Sequence, residues 1–166
     1  MTIPCPSCFE RTVKKTFRFL VNKHGFSLQS HPTAGTLVFV NEAFSIKVFY
    51  EPHSYMIYVK VTRLDTGEGY NLHEILHAIA PEEESRSQCS GADDNKMEQC
   101  LGQLGELCQK HLEGIIAMDA TTLKSVKISA TEVRRKYTLE AEFGAIKHSA
   151  NVAWERKDGQ GHIGCT

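Results

Sequence analysis

The feature that most constrains the fold is a series of four short apolar runs between residues 26 and 62. The runs cover residues 26–30, 36–40, 44–50 and 55–62. Segments rich in Pro, Gly, Asn and Ser separate them, and such segments favour tight connections between antiparallel strands. The series therefore predicts a four-stranded antiparallel meander.

Helical periodicity precedes and follows these runs. Apolar residues recur every three or four positions before Gly25, which predicts an N-terminal helix that a left-handed glycine ends. They are Phe9, Val13, Phe17 and Leu20. Similar series predict a short helix over 72–79, closed by Pro81, and a long amphipathic helix over 97–116. The predicted class is α+β: an N-terminal helix, the four-stranded antiparallel meander, and then two or three C-terminal helices.

The predicted domain organisation is a single domain over residues 1–166. Residues 7–80 form the helix, meander and short helix, residues 82–95 a mobile acidic loop, 96–157 a helical part, and 158–166 a loose tail. The last third carries two periodicities. We expect a helix over 132–157, supported by the capping-box spacing of Ser129 and Glu132, and the alternative is a strand over 135–143.

The two faces of the predicted sheet differ in polarity. In the third and fourth runs, one face is apolar, and the first helix can cover it. Its residues are Phe44, Ile46, Val48, Tyr50, Tyr55, Ile57, Val59 and Val61. The opposite face is half apolar and carries Lys47, Phe49, Met56, Tyr58 and Lys60. Because exposed apolar patches mark interaction sites, either the later helices or a partner must cover this second face.

Charge and cysteine usage narrow the possible partners. A formal net charge of −1 gives no long-range attraction to polyanions, so nucleic acid is not an expected partner. No signal segment or membrane-spanning run is evident, and we expect a cytoplasmic protein without membrane contact. In such a reducing compartment the six cysteines are expected to be thiols or metal ligands rather than disulfides. The oligomeric state stays open.

The most specific motif is His73-Glu74-Ile75-Leu76-His77, which has the pattern HExxH. On a helix, histidines four residues apart can both bind zinc, and the glutamate between them can act as a base toward a metal-bound water. The motif resembles the zincin metallopeptidases. That resemblance implies peptide hydrolysis with Glu74 as the catalytic base, and a third zinc ligand from a later helix, for which Glu98 and Glu106 are the candidates.

A second metal hypothesis involves the two termini. Cys5 and Cys8 form a CxxC pair, and Cys8 would lie near a helix N-terminus, where the dipole lowers a thiol pKa. His162 and Cys165 offer a second pair at the same spacing. The four side chains would meet the ligand count of a structural zinc site, and free terminal thiols are the alternative. Apart from zinc at one of these two sites, no cofactor is expected.

A wider pattern resembles small uncharacterised bacterial α+β proteins, some of them similar to immunity proteins of polymorphic toxin systems. It comprises residues 17–20, 24–26, 39–41, 46–51, 55–59 and 70–76. The resemblance implies a non-catalytic protein that blocks a partner. Glu82, Glu83 and Glu84 are then a candidate patch against a basic surface, and the alternative is a solvated linker.

We therefore predict a non-catalytic protein that binds a protein partner, immunity-like or regulatory. The candidate binding residues are Lys47, Phe49, Met56, Tyr58, Glu82, Glu83 and Glu84. The alternatives are a small HExxH zinc metallopeptidase and a structural domain without either role.

Overall fold

The structure is a computed structural model that describes residues 8–29, 34–117 and 122–138. It confirms the predicted α+β class, since an N-terminal helix precedes an antiparallel sheet and further helices follow. The chain separates into two units, Met1–Ser129 and Ala130–Thr166. The predicted single-domain organisation stays a prediction, and the predicted tail over 158–166 lies outside the described residues.

The N-terminal helix is broken into two segments, α1 (Phe9–Thr16) and α2 (Arg18–His24). Residues two apart on one continuous helix point in different directions. Phe17 and Phe19 are nevertheless both buried, with ring centroids 6.2 Å apart. The break at Phe17 therefore lets both rings enter the core. Gly25, at φ 68°, ends α2 in the left-handed conformation, as its position predicts.

Four strands form the predicted meander. They are β1 (Ser27–Gln29), β2 (Thr36–Val40), β3 (Phe44–Glu51) and β4 (Met56–Arg63), each antiparallel to the next. Two short strands that the sequence did not indicate, β5 (Gly69–Asn71) and β6 (Cys89–Ser90), both pair with β4. The prediction that Tyr55 belongs to the apolar face is wrong, because it lies in the turn before β4 at φ 58° and is exposed.

The helices cover one face of the sheet, which we call the core face. The Phe9 ring lies 6.2 Å from that of Tyr50, and the Phe17 ring 6.1 Å from that of Phe39. Helix α3 (Leu72–Ile79) and helix α4 (Asp94–Ile116) add buried side chains to the same core. These include Leu72, Ile75, Leu76, Leu101, Leu104 and Leu107. Each such side chain contributes about 1.5–3 kcal/mol on burial, so packing on the core face stabilises the sheet and the helices together.

The segment between α3 and α4 is structured, so the prediction of a mobile loop over 82–95 is wrong. A 3-10 helix spans Pro81–Ser87 and β6 follows it. Cys89 of β6 forms a disulfide with Cys100 of α4, across a Cα–Cα distance of 5.6 Å. For this pair the expectation of thiols or metal ligands is also wrong, because β6 and α4 lie close enough to bring the two residues within the range that a disulfide spans.

Helix α5 covers residues 122–138. Residues 132–138 of the predicted helix over 132–157 are helical, and so are residues 122–131 before them. Residues 139–157 of that prediction lie outside the described part of the chain. Ser129 and Glu132 lie inside α5, so their spacing does not mark a helix start. The alternative of a strand is wrong for residues 135–138, which are helical, and its residues 139–143 are not among those described.

Candidate functional site

The candidate site is the side of the sheet that points away from the core face, which we call the outer face. Lys47 and Phe49 of β3 lie on it, with Met56, Tyr58 and Lys60 of β4. These positions alternate with buried residues along both strands. Lys60 is exposed and the other four are partly exposed, and none of the five belongs to the buried core.

An aromatic pair lies at the centre of the outer face. Phe49 and Tyr58 are direct cross-strand partners, and their rings stack with centroids 5.2 Å apart and an interplanar angle of 27°. The Lys47 Nζ atom lies 5.2 Å from the centroid of the Phe49 ring, within the range of a cation–π interaction. The ring of Phe49 thus contacts a second ring and an ammonium group.

The charges at the centre of this face are positive. Lys47 is the direct cross-strand partner of Lys60, and like charges in that arrangement destabilise a sheet. Glu51 lies at the end of β3, where its carboxylate accepts a hydrogen bond of 2.7 Å from the Ser54 hydroxyl. The outer face therefore combines apolar side chains with two lysines whose charges an additional anion would balance.

The acidic run that the sequence suggested as a patch is turned largely toward the protein itself. Glu82 is exposed, but Glu83 is buried in the 3-10 helix. The Glu84 carboxylate lies 2.6 Å from the Nδ1 atom of His77 in α3. Two of the three glutamates are therefore engaged by neighbouring side chains.

Glu83 is the centre of a charged network between the 3-10 helix and α4. Its Oε1 atom accepts hydrogen bonds from Lys110 at 2.8 Å and from Arg86 at 3.2 Å, and its Oε2 atom contacts the Nε2 atom of His111. The hydrogen bonds from Lys110 and His111 lower the pKa of Glu83 from its ordinary 4.5 to about 2. Arg86 also reaches Glu106 at 3.3 Å. This network fixes the 3-10 helix to α4.

The HExxH residues lie on α3, as the sequence predicts. Glu74 is buried, and its carboxylate accepts a hydrogen bond of 2.8 Å from the backbone N–H of Asn71, the N-cap residue of the helix. This is one half of a capping box. His73 and His77 are partly buried. In this arrangement the glutamate satisfies the start of its own helix.

The structure does not bring the proposed third ligands to the motif. Glu98 pairs with Arg11 at 3.8 Å, and Glu106 pairs with Arg86. Within residues 8–29, 34–117 and 122–138, no group of three or more His, Cys, Asp and Glu side chains is placed to hold a metal ion.

Of the four residues in the terminal zinc hypothesis, the structure describes only Cys8. Cys5, His162 and Cys165 lie outside the described residues. Cys8 is the N-cap residue of α1, and its Sγ atom lies 3.8 Å from the backbone oxygen of Asp94. Burial raises the pKa of Cys8 above its ordinary 9.0, with a further contribution from Asp94. The expectation that the helix dipole lowers this pKa is therefore wrong, because the cost of burying a thiolate is larger.

Sequence reasoning missed the partners of Glu83 and the disulfide. Lys110 and His111 are 27 and 28 residues from Glu83, and no local spacing rule connects charges so far apart. The ion pair between Glu83 and Arg86, three residues later, could have been predicted from helical spacing. Cys89 showed no signal, because strand β6 is only two residues long.

Comparison of the chain with protein-family models, with curated proteins and with solved structures gives no match. The resemblances to immunity proteins and to zincins stay predictions. None of the helices in the described ranges combines the length and apolar character needed to cross a bilayer.

Proposed function

We propose that this protein is a non-catalytic binding protein, immunity-like or regulatory, and that it contacts a protein partner through the outer face. The observation that carries the proposal is the stacked pair Phe49 and Tyr58 at the centre of a sheet face outside the buried core. Aromatic residues supply a large contact area at a low cost in side-chain entropy, and they often dominate the binding energy of interfaces.

The position of the helices supports this choice of face. Phe9 of α1 contacts Tyr50, and Phe17, between α1 and α2, contacts Phe39; both partners belong to the core face. Phe19 and Leu20 of α2 are buried in the same core. The buried residues of α3 and α4 join the same core. A partner that packs against Phe49 and Tyr58 would therefore bury apolar surface without displacing any of these four helices.

The other candidate surfaces receive less support. Glu83 and Glu84 already have partners within the protein, which leaves Glu82 as the exposed glutamate of the run. The zinc hydrolase would require Glu74 to leave its position at the start of α3, where it accepts a hydrogen bond from Asn71. Zinc analysis of the purified wild-type protein and of His73→Ala tests that alternative directly, because stoichiometric zinc that is lost in the variant would favour the hydrolase.

Site-specific photo-crosslinking tests the proposal in living cells of the source organism. The photoreactive analogue p-benzoylphenylalanine replaces Phe49 in one variant, and in the control it replaces Val21, an exposed residue of α2. We expect one dominant crosslinked protein from position 49 that is absent from position 21. Circular dichroism verifies that both variants fold. The same products from both positions, or none from position 49, would contradict the proposal.

A further inference from the structure

The chemistry of the outer face narrows the class of partner. We infer that the outer face binds an acidic protein segment in which carboxylate side chains lie next to a large apolar side chain. This inference rests on the proposed function and adds the charge and the chemical class of the partner.

The lysine pair supplies the first argument. Lys47 of β3 and Lys60 of β4 are direct cross-strand partners, so the register places two positive charges at neighbouring positions of the outer face. The Lys60 Cε atom lies 2.7 Å from the place that a Cβ at residue 69 would take, so this side chain extends over Gly69. Lys47 extends over the ring of Phe49. Carboxylates of a partner would form an ion pair with each of these two ammonium groups.

The apolar residues supply the second argument. Phe49 and Tyr58 form the rung next to the lysines, and Met56 lies across from Glu51 in the rung beyond. The side chains of Phe49, Tyr58 and Met56 are each partly exposed. A ligand with charge alone would leave this apolar surface in water, so the partner must also bring an apolar side chain.

Two other occupants fit the face less well. A second copy of the chain, docked through the same surface, would place Lys47 and Lys60 against lysines of its own kind, since a twofold interface is self-complementary. Single-stranded nucleic acid binds by stacking its bases on aromatic rings. Here the Phe49 ring already contacts Lys47 and Tyr58, and the net charge of the protein is −1.

Titration of the full chain with short synthetic probes tests the inference. The probes are a peptide that alternates Glu and Leu, a second that alternates Lys and Leu, a third that alternates Glu and Ser, and oligouridine. Fluorescence anisotropy measures the affinity, and backbone amide chemical shifts locate the binding surface. We expect only the Glu and Leu peptide to bind, with shifts concentrated in β2, β3 and β4 and with an affinity that falls as salt is added.

Charge reversal provides the matched comparison. The variant Lys47→Glu/Lys60→Glu should weaken binding of the Glu and Leu peptide by about tenfold or more. The control Lys15→Glu/Lys23→Glu changes the net charge equally, at exposed positions of α1 and α2, and should leave the affinity within about twofold.

Several results would overturn the inference. They are equal affinity in both charge-reversal variants, equal binding of the Lys and Leu or the Glu and Ser peptide, tighter binding of oligouridine, and absence of shifts on the outer face. Self-association through this face, detected by sedimentation and abolished by Phe49→Ser, would also overturn it. Crosslinking from position 49 decides the proposed function separately, because it requires a partner but no particular charge.

Discussion

The contact between α1 and α4 allows a quantitative test with two glycines of one helix. Gly105 of α4 is buried, and a Cβ added there would fall well inside van der Waals contact with the Cγ2 atom of Thr16 in α1. The other nearby atoms of Thr16, its Cβ at 3.6 Å and its backbone oxygen at 3.7 Å, are at ordinary contact distances. Gly102 is exposed, and a Cβ added there would have no neighbour within 4 Å.

The expected changes in the free energy of unfolding follow from these surroundings. Replacing glycine with alanine in a helix interior stabilises the helix by about 1 kcal/mol, so Gly102→Ala should gain about that amount. At residue 105 the same gain is opposed by overpacking against Thr16, which costs about 1–3 kcal/mol. The stability of Gly105→Ala should therefore lie between the wild-type value and about 2 kcal/mol below it.

Urea denaturation followed by circular dichroism measures both variants. The background Thr16→Ser removes the obstructing Cγ2 atom and retains the hydroxyl. In that background, Gly105→Ala should become as stabilising as Gly102→Ala is in the wild type. If Gly105→Ala stabilises the wild-type protein as much as Gly102→Ala does, α1 and α4 do not approach as closely as the structure indicates, and the reasoning is refuted.

Three further predictions concern Glu83, the disulfide and Glu74. Because the folded pKa of Glu83 is about 2 and its ordinary value is 4.5, its ionised form should stabilise the fold fully above about pH 4.5 and progressively less as the pH falls toward 2. In urea titrations Glu83→Gln should be less stable than the wild type at neutral pH, and the difference in free energy of unfolding should decrease in acid. The control Glu82→Gln, at an exposed position, should be as stable as the wild type at each pH. Identical pH profiles for the two variants would contradict the low pKa of Glu83. Closure of the loop between Cys89 and Cys100 contributes about 3 kcal/mol, so a reductant should lower the thermal midpoint of the wild type and leave that of Cys89→Ala/Cys100→Ala unchanged. If the reductant does not change the thermal midpoint of the wild type, the disulfide is absent. Glu74→Ala should cost about 1 kcal/mol in urea denaturation, while Glu74→Gln retains the capping box and most of the stability; equal losses would exclude the capping role.

The sheet and the short helix were predictable because both depend on local patterns. The observed bounds of β2, Thr36–Val40, coincide with those of the predicted second run, and α3 coincides with the helix predicted over 72–79. In each case the alternation or the helical period lies within a few residues and both ends carry a turn or capping signal.

The unpredicted features depend on contacts between distant residues. The break at Phe17 follows from the packing of Phe17 against Phe39, 22 positions later in the chain. The 3-10 helix Pro81–Ser87 is fixed by side chains of α4, and β6 depends on pairing with β4 and on the bond between Cys89 and Cys100. From its sequence alone, a polar segment of this composition is predicted to be a loop, because the strand and the helix that it contacts are not known.

Local sequence patterns predicted part of the candidate site, and the rest depends on contacts between distant residues. Alternation along β3 and β4 placed Lys47, Phe49, Met56 and Tyr58 on one face, and the register confirms that placement. The pairing of Lys47 with Lys60, and of Phe49 with Tyr58, required the register itself, because it depends on how the two strands align. The motif around Glu74 was found from its sequence, but its capping role became evident only from the hydrogen bond to Asn71.

The charge of the proposed interface is the opposite of the charge of the acidic run, which the sequence suggested as one of two candidate binding surfaces. The run Glu82 to Glu84 pointed to a basic partner, but Glu83 is buried beside Lys110 of α4, and pairing with that ammonium group offsets the cost of burying the Glu83 charge. A basic partner docked on the outer face would instead meet Lys47 and Lys60, which repel it. The sequence of the protein that crosslinks from position 49 therefore tests the charge of the partner: an acidic contact segment supports the inferred partner class, and a basic one contradicts it, although the partner would still dock on the outer face.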